Sequence, residues 1–312
     1  MKRLSVILTF ILASVSLFAA KRLVSITQLG SAYSERRGDI TYGADGRISK
    51  FVVTEGYNTE SYEYSYNGNS EILIDYWYDN RQGHDTYKFS ISNGKIISED
   101  YNIDGDDVSG RCSYGYTGEH LTSLNVAESC EGMTEYNNFT WSWNGDVLSE
   151  MNGTEYGDNV YSRYTYSPDV HNTDMDSPMI CAIFGFTNAT DMNFYRVDCM
   201  FKSIVLYPYI GNLPQKLISY LEDYDGEKTQ TYSISYERDA DGYVNVVNIT
   251  TGGSTITYNL GWEVETGISD VSMRKHNFNT YYTLSGQRVS ENYIKTYKAP
   301  YILNGRVVIG NY

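Results

Sequence analysis

Polar and apolar positions alternate with a period of two through most of this chain, and short glycine-bearing turns break the alternation at nearly even intervals. Residues 61–79, SYEYSYNGNSEILIDYWYD, show the plan. Tyr62, Tyr64 and Tyr66 alternate with Ser61, Glu63 and Ser65; an Asn-Gly turn follows at Asn67 and Gly68; Ile72, Ile74 and Tyr76 resume the rhythm. Asn-Gly between alternating runs predicts a hairpin, because both turn positions favour positive φ. The same plan recurs at 39–51, 87–101, 112–126 and 139–151, with turn glycines Gly46, Gly68, Gly94, Gly118 and Gly145. An aliphatic comes after each turn, at Ile48, Ile72, Ile96, Leu121 and Val147. A period near 25 residues of strand, turn and strand predicts an all-β fold, an antiparallel meander of successive hairpins. The return strand of the 61–79 hairpin is apolar on both faces, with Leu73 and Trp77 opposite Ile72 and Ile74, so the sheet is expected to be curved or barrel-like.

The rhythm resumes at 160–167, 231–249 and 254–262, after an interruption near 168–215. There Asp176, Ser177 and Pro178 read as a helix start and Gly185 as its stop, while Pro208, Gly211 and Pro214 punctuate an irregular segment beyond it. One short helix is expected in this insertion, filling or capping an open end of the sheet.

Composition strengthens the all-β reading: 32 tyrosines stand against 17 leucines in 312 residues. Each Tyr can bury its ring against cross-strand neighbours and keep its hydroxyl in water. Lys and Arg number 24 against 39 Asp and Glu, a net charge of −15, which disfavours nucleic acid and anionic membrane as partners. Residues 1–20 have Lys2 and Arg3, an apolar run from Leu4 to Phe18 and a small-residue exit at Ala19 and Ala20, the layout of a signal peptide. The chain is therefore expected to be exported (secreted, periplasmic or at the outer-membrane surface), with no transmembrane span once residues 1–20 are removed. Export makes Cys112, Cys130, Cys181 and Cys199 disulfide candidates, first as the local pairs 112/130 and 181/199, with free buried thiols as the alternative.

The repeat plan, with the inserted YIGNLPQKLISYLEDY at 209–224, resembles an exported Bacteroidota family of unknown function with a porin-like β-fold, over about residues 22–262. The resemblance implies an antiparallel, barrel-like or strongly curved sheet and supplies no activity and no catalytic residues. Residues 281–312 are similar to the C-terminal tails of Bacteroidota surface proteins sorted by the type IX route. Tyr282, Leu284, Gly286, Arg288 and Val289 match the first strand of such a tail; Tyr301, Ile302, Asn304, Gly305 and Val308 match the second. The expected organisation is a signal peptide (1–20), a hairpin-repeat domain (21–263) and a small C-terminal β module (264–312).

A membrane-embedded barrel needs an uninterrupted apolar outer face, and Arg47, Lys50, Lys88, Lys95 and Glu99 fall inside the candidate strands. Catalytic signals are thin. His84, His120, His171 and His276 show no paired spacing, no zinc pattern accompanies the cysteines, and no nucleophile motif appears. Asp104, Asp106 and Asp107 open like a Ca²⁺ loop but lack its later Glu, and read as a turn. No cofactor or metal is expected. The aromatics are the remaining candidates: Tyr62, Tyr64, Tyr66, Trp141 and Trp143 could stack on sugar rings, or fill a curved interior. The resulting expectation is a non-enzymatic surface or secreted protein with a binding or structural role, its partner a glycan or a surface protein. The alternatives are a glycan-binding module using those aromatics and a hydrolase with paired carboxylates in the 168–215 region.

Overall fold

The computed structural model describes residues 21–30, 33–78, 83–104, 108–170, 198–214 and 216–264, together with 281–283, 288–289, 301–303 and 306–308. The chain forms two compact units, Met1–Thr266 and Gly267–Tyr312. The first holds sixteen antiparallel strands: β1 (Lys21–Gly30), β2 (Tyr33–Tyr42), β3 (Ile48–Glu55), β4 (Asn58–Asn67), β5 (Glu71–Tyr78), β6 (Gly83–Ser92), β7 (Lys95–Ile103) and β8 (Val108–Thr117). They continue as β9 (His120–Cys130), β10 (Met133–Asn144), β11 (Val147–Glu155), β12 (Asp158–Val170), β13 (Lys216–Tyr224), β14 (Thr229–Arg238), β15 (Val244–Thr251) and β16 (Ser254–Val264). Each strand pairs with the next, and β1 pairs with β16 as well as β2, so the meander closes into a barrel. Closure leaves no strand without two neighbours, the most complete way to remove a sheet edge.

The five turn glycines of the sequence repeat all have positive φ, from 60° to 75°, and all lie at one rim. The 171–215 connection departs from that same rim, called here the insertion rim. At the opposite rim the turns contain Gly56, Gly132, Gly157, Gly226 and the Gly252–Gly253 pair.

Period-two alternation sends one set of side chains inward. Phe51, Tyr62, Tyr64, Ile72, Ile74, Phe89, Leu121, Phe139, Trp141, Tyr232 and Tyr258 are among the residues of one buried hydrophobic cluster. The inserted segment joins it. A 3₁₀ turn (Asp198–Phe201), the short helix α1 (Ser203–Leu206) and a second 3₁₀ turn (Tyr207–Tyr209) bury Met200, Phe201, Ile204, Val205, Leu206 and Ile210 in the cluster. A short helix is thus present in the insertion, as expected; the Pro178 start falls in residues 171–197, which lie outside the described residues. The segment is held at its far end too: the Asn212 N–H donates to the Glu119 carbonyl at 2.7 Å, and Gly211, with φ +90°, lies so close that a Cβ there would meet the Glu119 oxygen at 2.2 Å.

The polar tips of the tyrosines depart from expectation. At the insertion rim they do not stay in water but donate to backbone carbonyls of the preceding strand. The hydroxyls of Tyr42, Tyr66 and Tyr236 reach Leu23, Ile48 and Ile218, and the indole N–H groups of Trp143 and Trp262 reach Leu121 and Val244, all at 2.7–2.8 Å. Tyr166 does the same to Leu148. All six acceptors sit at a ladder irregularity, and four of them, Ile48, Leu121, Leu148 and Val244, come just after the preceding turn. In two repeats, Tyr66 to Ile48 and Trp143 to Leu121, the aromatic before one turn and the aliphatic after the previous turn are therefore one interaction.

The anticipated Cys112–Cys130 disulfide is absent, and register gives the reason. Cys112 is opposite Val126 and Cys130 opposite Val108, so the two are four residues apart along the hairpin. That is roughly 13 Å, beyond what a disulfide spans. Cys112 faces inward as a free thiol and Cys130 outward. The 181/199 pair falls outside the described residues, since Cys181 and the Cys199 side chain are among those not described.

The second unit contains β17 (Tyr281–Thr283), β18 (Arg288–Val289), β19 (Tyr301–Leu303) and β20 (Arg306–Val308) in the order β18-β17-β19-β20, all antiparallel.

Candidate functional site

Among the described residues, the insertion carries one charged side chain, that of Lys202, into the barrel. Lys202, just before α1, places its Nζ 2.7 Å from Oε1 of Glu99 on β7, and Glu99 is only 1% exposed. The Tyr114 hydroxyl donates to the other Glu99 oxygen at 3.0 Å. The Lys202 ammonium also lies 4.6 Å from the Tyr87 ring centroid and 5.8 Å from those of Tyr101 and Phe201. Burial pulls the Lys202 ammonium toward neutrality, but the facing Glu99 carboxylate outweighs it and holds the group above its ordinary value. Burial, reinforced by Glu99, pushes both the Cys112 thiol and the Tyr114 hydroxyl up. A thiol held protonated in this way is no nucleophile at neutral pH. The carboxylate, ammonium and hydroxyl satisfy one another, so the cluster positions the insertion and offers no free acid or base.

Two further inward polar groups sit toward the opposite rim. Arg36 pairs with Glu55 at 2.8 Å. Ser162 donates to Asp223 at 2.7 Å, both residues being buried. Burial raises the Asp223 carboxyl to about 6, opposed by that hydrogen bond.

The outward face is built differently. Lys50 pairs with Glu63 at 3.4 Å, Lys88 with Glu71 at 2.7 Å, and Arg111 with Asp100 at 2.6 Å. Arg163 bridges Glu150 and Glu222 across three strands at 2.9 and 3.1 Å. Register places Lys88, Asp100 and Arg111 side by side across β6, β7 and β8. Of the charges the sequence analysis placed in the strands, Lys50 and Lys88 lie on this outer face, whereas Glu99 points inward.

The aromatics singled out from the sequence meet protein. Tyr62, Tyr64 and Trp141 are buried, and Tyr66 and Trp143 are half-buried against the same cluster. Tyr62 lies between Tyr76 and Phe201, with ring centroids 4.5 and 4.6 Å away, and the Tyr64 hydroxyl donates to the Phe201 carbonyl. His84 stacks on Trp77 at 3.9 Å and bonds Asp75; His120 lies 4.3 Å from Trp143; His171 and His276 fall outside the described residues. Among the described residues no group of three or more His, Cys, Asp or Glu is arranged to hold a metal ion. Asp104 follows β7, its N–H donating to Asp85, while 105–107 lie outside the described residues.

Sequence reasoning missed the exposed ring and thioether groups at the opposite rim. Tyr57, Met133, Tyr136 and Tyr156 are 105%, 69%, 70% and 64% exposed. Met133 and Tyr136 are on β10 and Tyr156 is in the turn after β11; the β10–β11 register carried past Asn138↔Thr154 sets Tyr136 level with Tyr156. The only signal was compositional: no Lys or Arg occurs between Arg111 and Arg163.

No protein-family model matches the chain, and no curated protein does. Among solved structures it is similar to a porin-like protein from Bacteroides uniformis (15% identity, TM-score 0.53), over 77% of this chain and 98% of that one. It is also similar to a porin-like protein from Bacteroides vulgatus (14% identity, TM-score 0.52), with the same coverage of both chains. The likeness is one of fold.

Proposed function

We propose that the chain is an exported, water-facing β-barrel with a non-enzymatic binding or structural role at the cell surface or in secreted form. The observation that carries this reading is the outward belt of ion pairs from Lys50 to Glu222. A lipid-facing Lys or Arg costs roughly 2–4 kcal/mol at the bilayer midplane, and a membrane barrel keeps that face apolar. Here the apolar side chains are the inward set, joined by the insertion. Among the described residues no helix is long and apolar enough to cross a membrane. The closed Glu99–Lys202 cluster supports a role without catalysis. Residues 1–20 act as the leader, and residues 264–312 serve sorting or attachment at the surface.

The test is flotation of detergent-free protein, residues 21–312, with phosphatidylcholine–phosphatidylglycerol vesicles on a density gradient, and then bilayer conductance. The protein is expected to stay in the aqueous fraction and to carry no current. Co-flotation resistant to carbonate wash, with stepwise conductance, would reject the proposal.

A further inference from the structure

At the opposite rim the β9–β10 hairpin stands past its neighbour. β10 starts at Met133 and pairs with β9 from there, but its pairing with β11 starts only at Asn138. Residues 133–137 therefore have one side on β9 and, among the described residues, no strand on the other. On that side the Asn137 side chain caps the end of the ladder, its Oδ1 accepting from the Tyr156 N–H at 3.0 Å. Stagger is normal in barrels, and a free strand edge with exposed apolar side chains is a site for pairing with another strand. Met133 and Tyr136 on β10, with Tyr156 beside them, supply such side chains.

Charge selects among occupants. Residues 112–162 contain eight Asp or Glu and no Lys or Arg, and four of the acids, Glu131, Glu135, Glu155 and Asp158, flank this edge. The barrel unit as a whole, residues 21–266, has sixteen Lys or Arg against 37 Asp or Glu, a net charge of −21. A second copy pairing edge to edge would bring Glu135 toward Glu135, and like charges directly opposite are destabilising. We infer that the 133–137 edge of β10 docks an extended, lysine- or arginine-rich segment of a partner protein by strand addition. The partner's backbone completes the ladder, its basic side chains meet Glu135, with Glu131 at the adjoining turn, on one face, and its apolar side chains pack on Tyr136 on the other.

This inference rests on the water-facing reading, and its test uses detergent-free full-length mature protein, so that a soluble monomer with no peptide binding would reject the edge alone. The probe is a short peptide alternating lysine and valine, with binding read by fluorescence anisotropy and amide hydrogen exchange. Binding is expected, with protection at 133–137, weakening with salt and falling about tenfold in Glu131→Lys/Glu135→Lys. Both positions are exposed, and an unchanged melting temperature confirms that this variant folds. The peptide N-methylated at alternate residues is expected not to bind, because it cannot extend the ladder. Equal binding of the methylated peptide, equal binding of a glutamate–valine peptide, protection elsewhere, or dimerisation that protects 133–137 without peptide would each overturn the inference.

Discussion

The Tyr66 hydroxyl donates to the Ile48 carbonyl at 2.7 Å and thereby ties the second sequence hairpin to the first. Tyr66 ends the alternating run before its turn, and Ile48 is the aliphatic just after the preceding turn. Removing one such bond while keeping the ring isolates its contribution. Tyr66→Phe is expected to lower unfolding free energy by about 1 kcal/mol, the usual net value of one such hydrogen bond. Trp143→Phe, which loses both the bond to Leu121 and ring volume, is expected to cost more, about 2–3 kcal/mol. Urea denaturation with unchanged m-values measures both; wild-type stability in Tyr66→Phe would show that the rim bonds do not hold the hairpins together.

That pairing of features separates what the sequence showed from what it hid. Turn glycines such as Gly68, and the inward placement of Tyr62 and Tyr64, follow from local alternation and were legible. The partner of each tyrosine hydroxyl was not, because it depends on a ladder irregularity in the neighbouring strand. Closure of β1 on β16 joins residues more than 220 positions apart, and period-two patterning says nothing about such pairings. Glu99 was legible only as a charge inside a candidate strand, and nothing local marks Lys202, 103 residues away, as its partner; only the insertion brings them together. The helix Ser203–Leu206 was not legible locally, because it has no side-chain cap and no acidic first turn and is held by tertiary burial; the Pro178 start lies outside the described residues.

The buried Glu99–Lys202 pair makes a prediction about additivity. Lys202→Met leaves an unpaired carboxylate beside Tyr114, and Glu99→Gln leaves an ammonium without a counter-charge; each is expected to cost about 3–5 kcal/mol. The double variant Glu99→Leu/Lys202→Met is expected to lose less than either alone, since no orphan charge remains. Simple addition of the two single costs, read from denaturation midpoints, would contradict the pairing.

Asp223 sets a pH dependence. Its folded carboxyl value of about 6 lies above the ordinary 3.8, so the folded state binds the proton more tightly than the unfolded chain. The resulting stabilisation is complete below about pH 4 and is lost as pH rises through 6. A shift of about two units corresponds to roughly 3 kcal/mol. Asp223→Asn keeps an oxygen to accept from Ser162 and does not titrate. Relative to wild type it is expected to be more stable at pH 8 than at pH 4 by about that amount, measured by urea unfolding at both values. A pH-independent difference would contradict the assignment.

Gly211 tests the docking of the insertion. Its φ of +90° and the approach of the Glu119 carbonyl leave no room for a Cβ. Gly211→Ala is expected to cost more than about 2 kcal/mol and to speed hydrogen exchange in 200–213 more than in the barrel strands. Uniform exchange rates across both regions would show that the insertion is not a separately held element.

The central claim is that the outer face of the wall lies in water. It is tested most directly by a nitroxide at residue 88, in Lys88→Cys/Cys130→Ser/Cys181→Ser/Cys199→Ser, where the native side chain is half exposed on β6 and the remaining Cys112 is buried. Electron paramagnetic resonance then compares collisions with a water-soluble nickel chelate and with oxygen, before and after vesicles are added. Nickel collisions are predicted to dominate in both conditions; a label that turns oxygen-accessible and nickel-protected in vesicles would contradict the water-facing barrel.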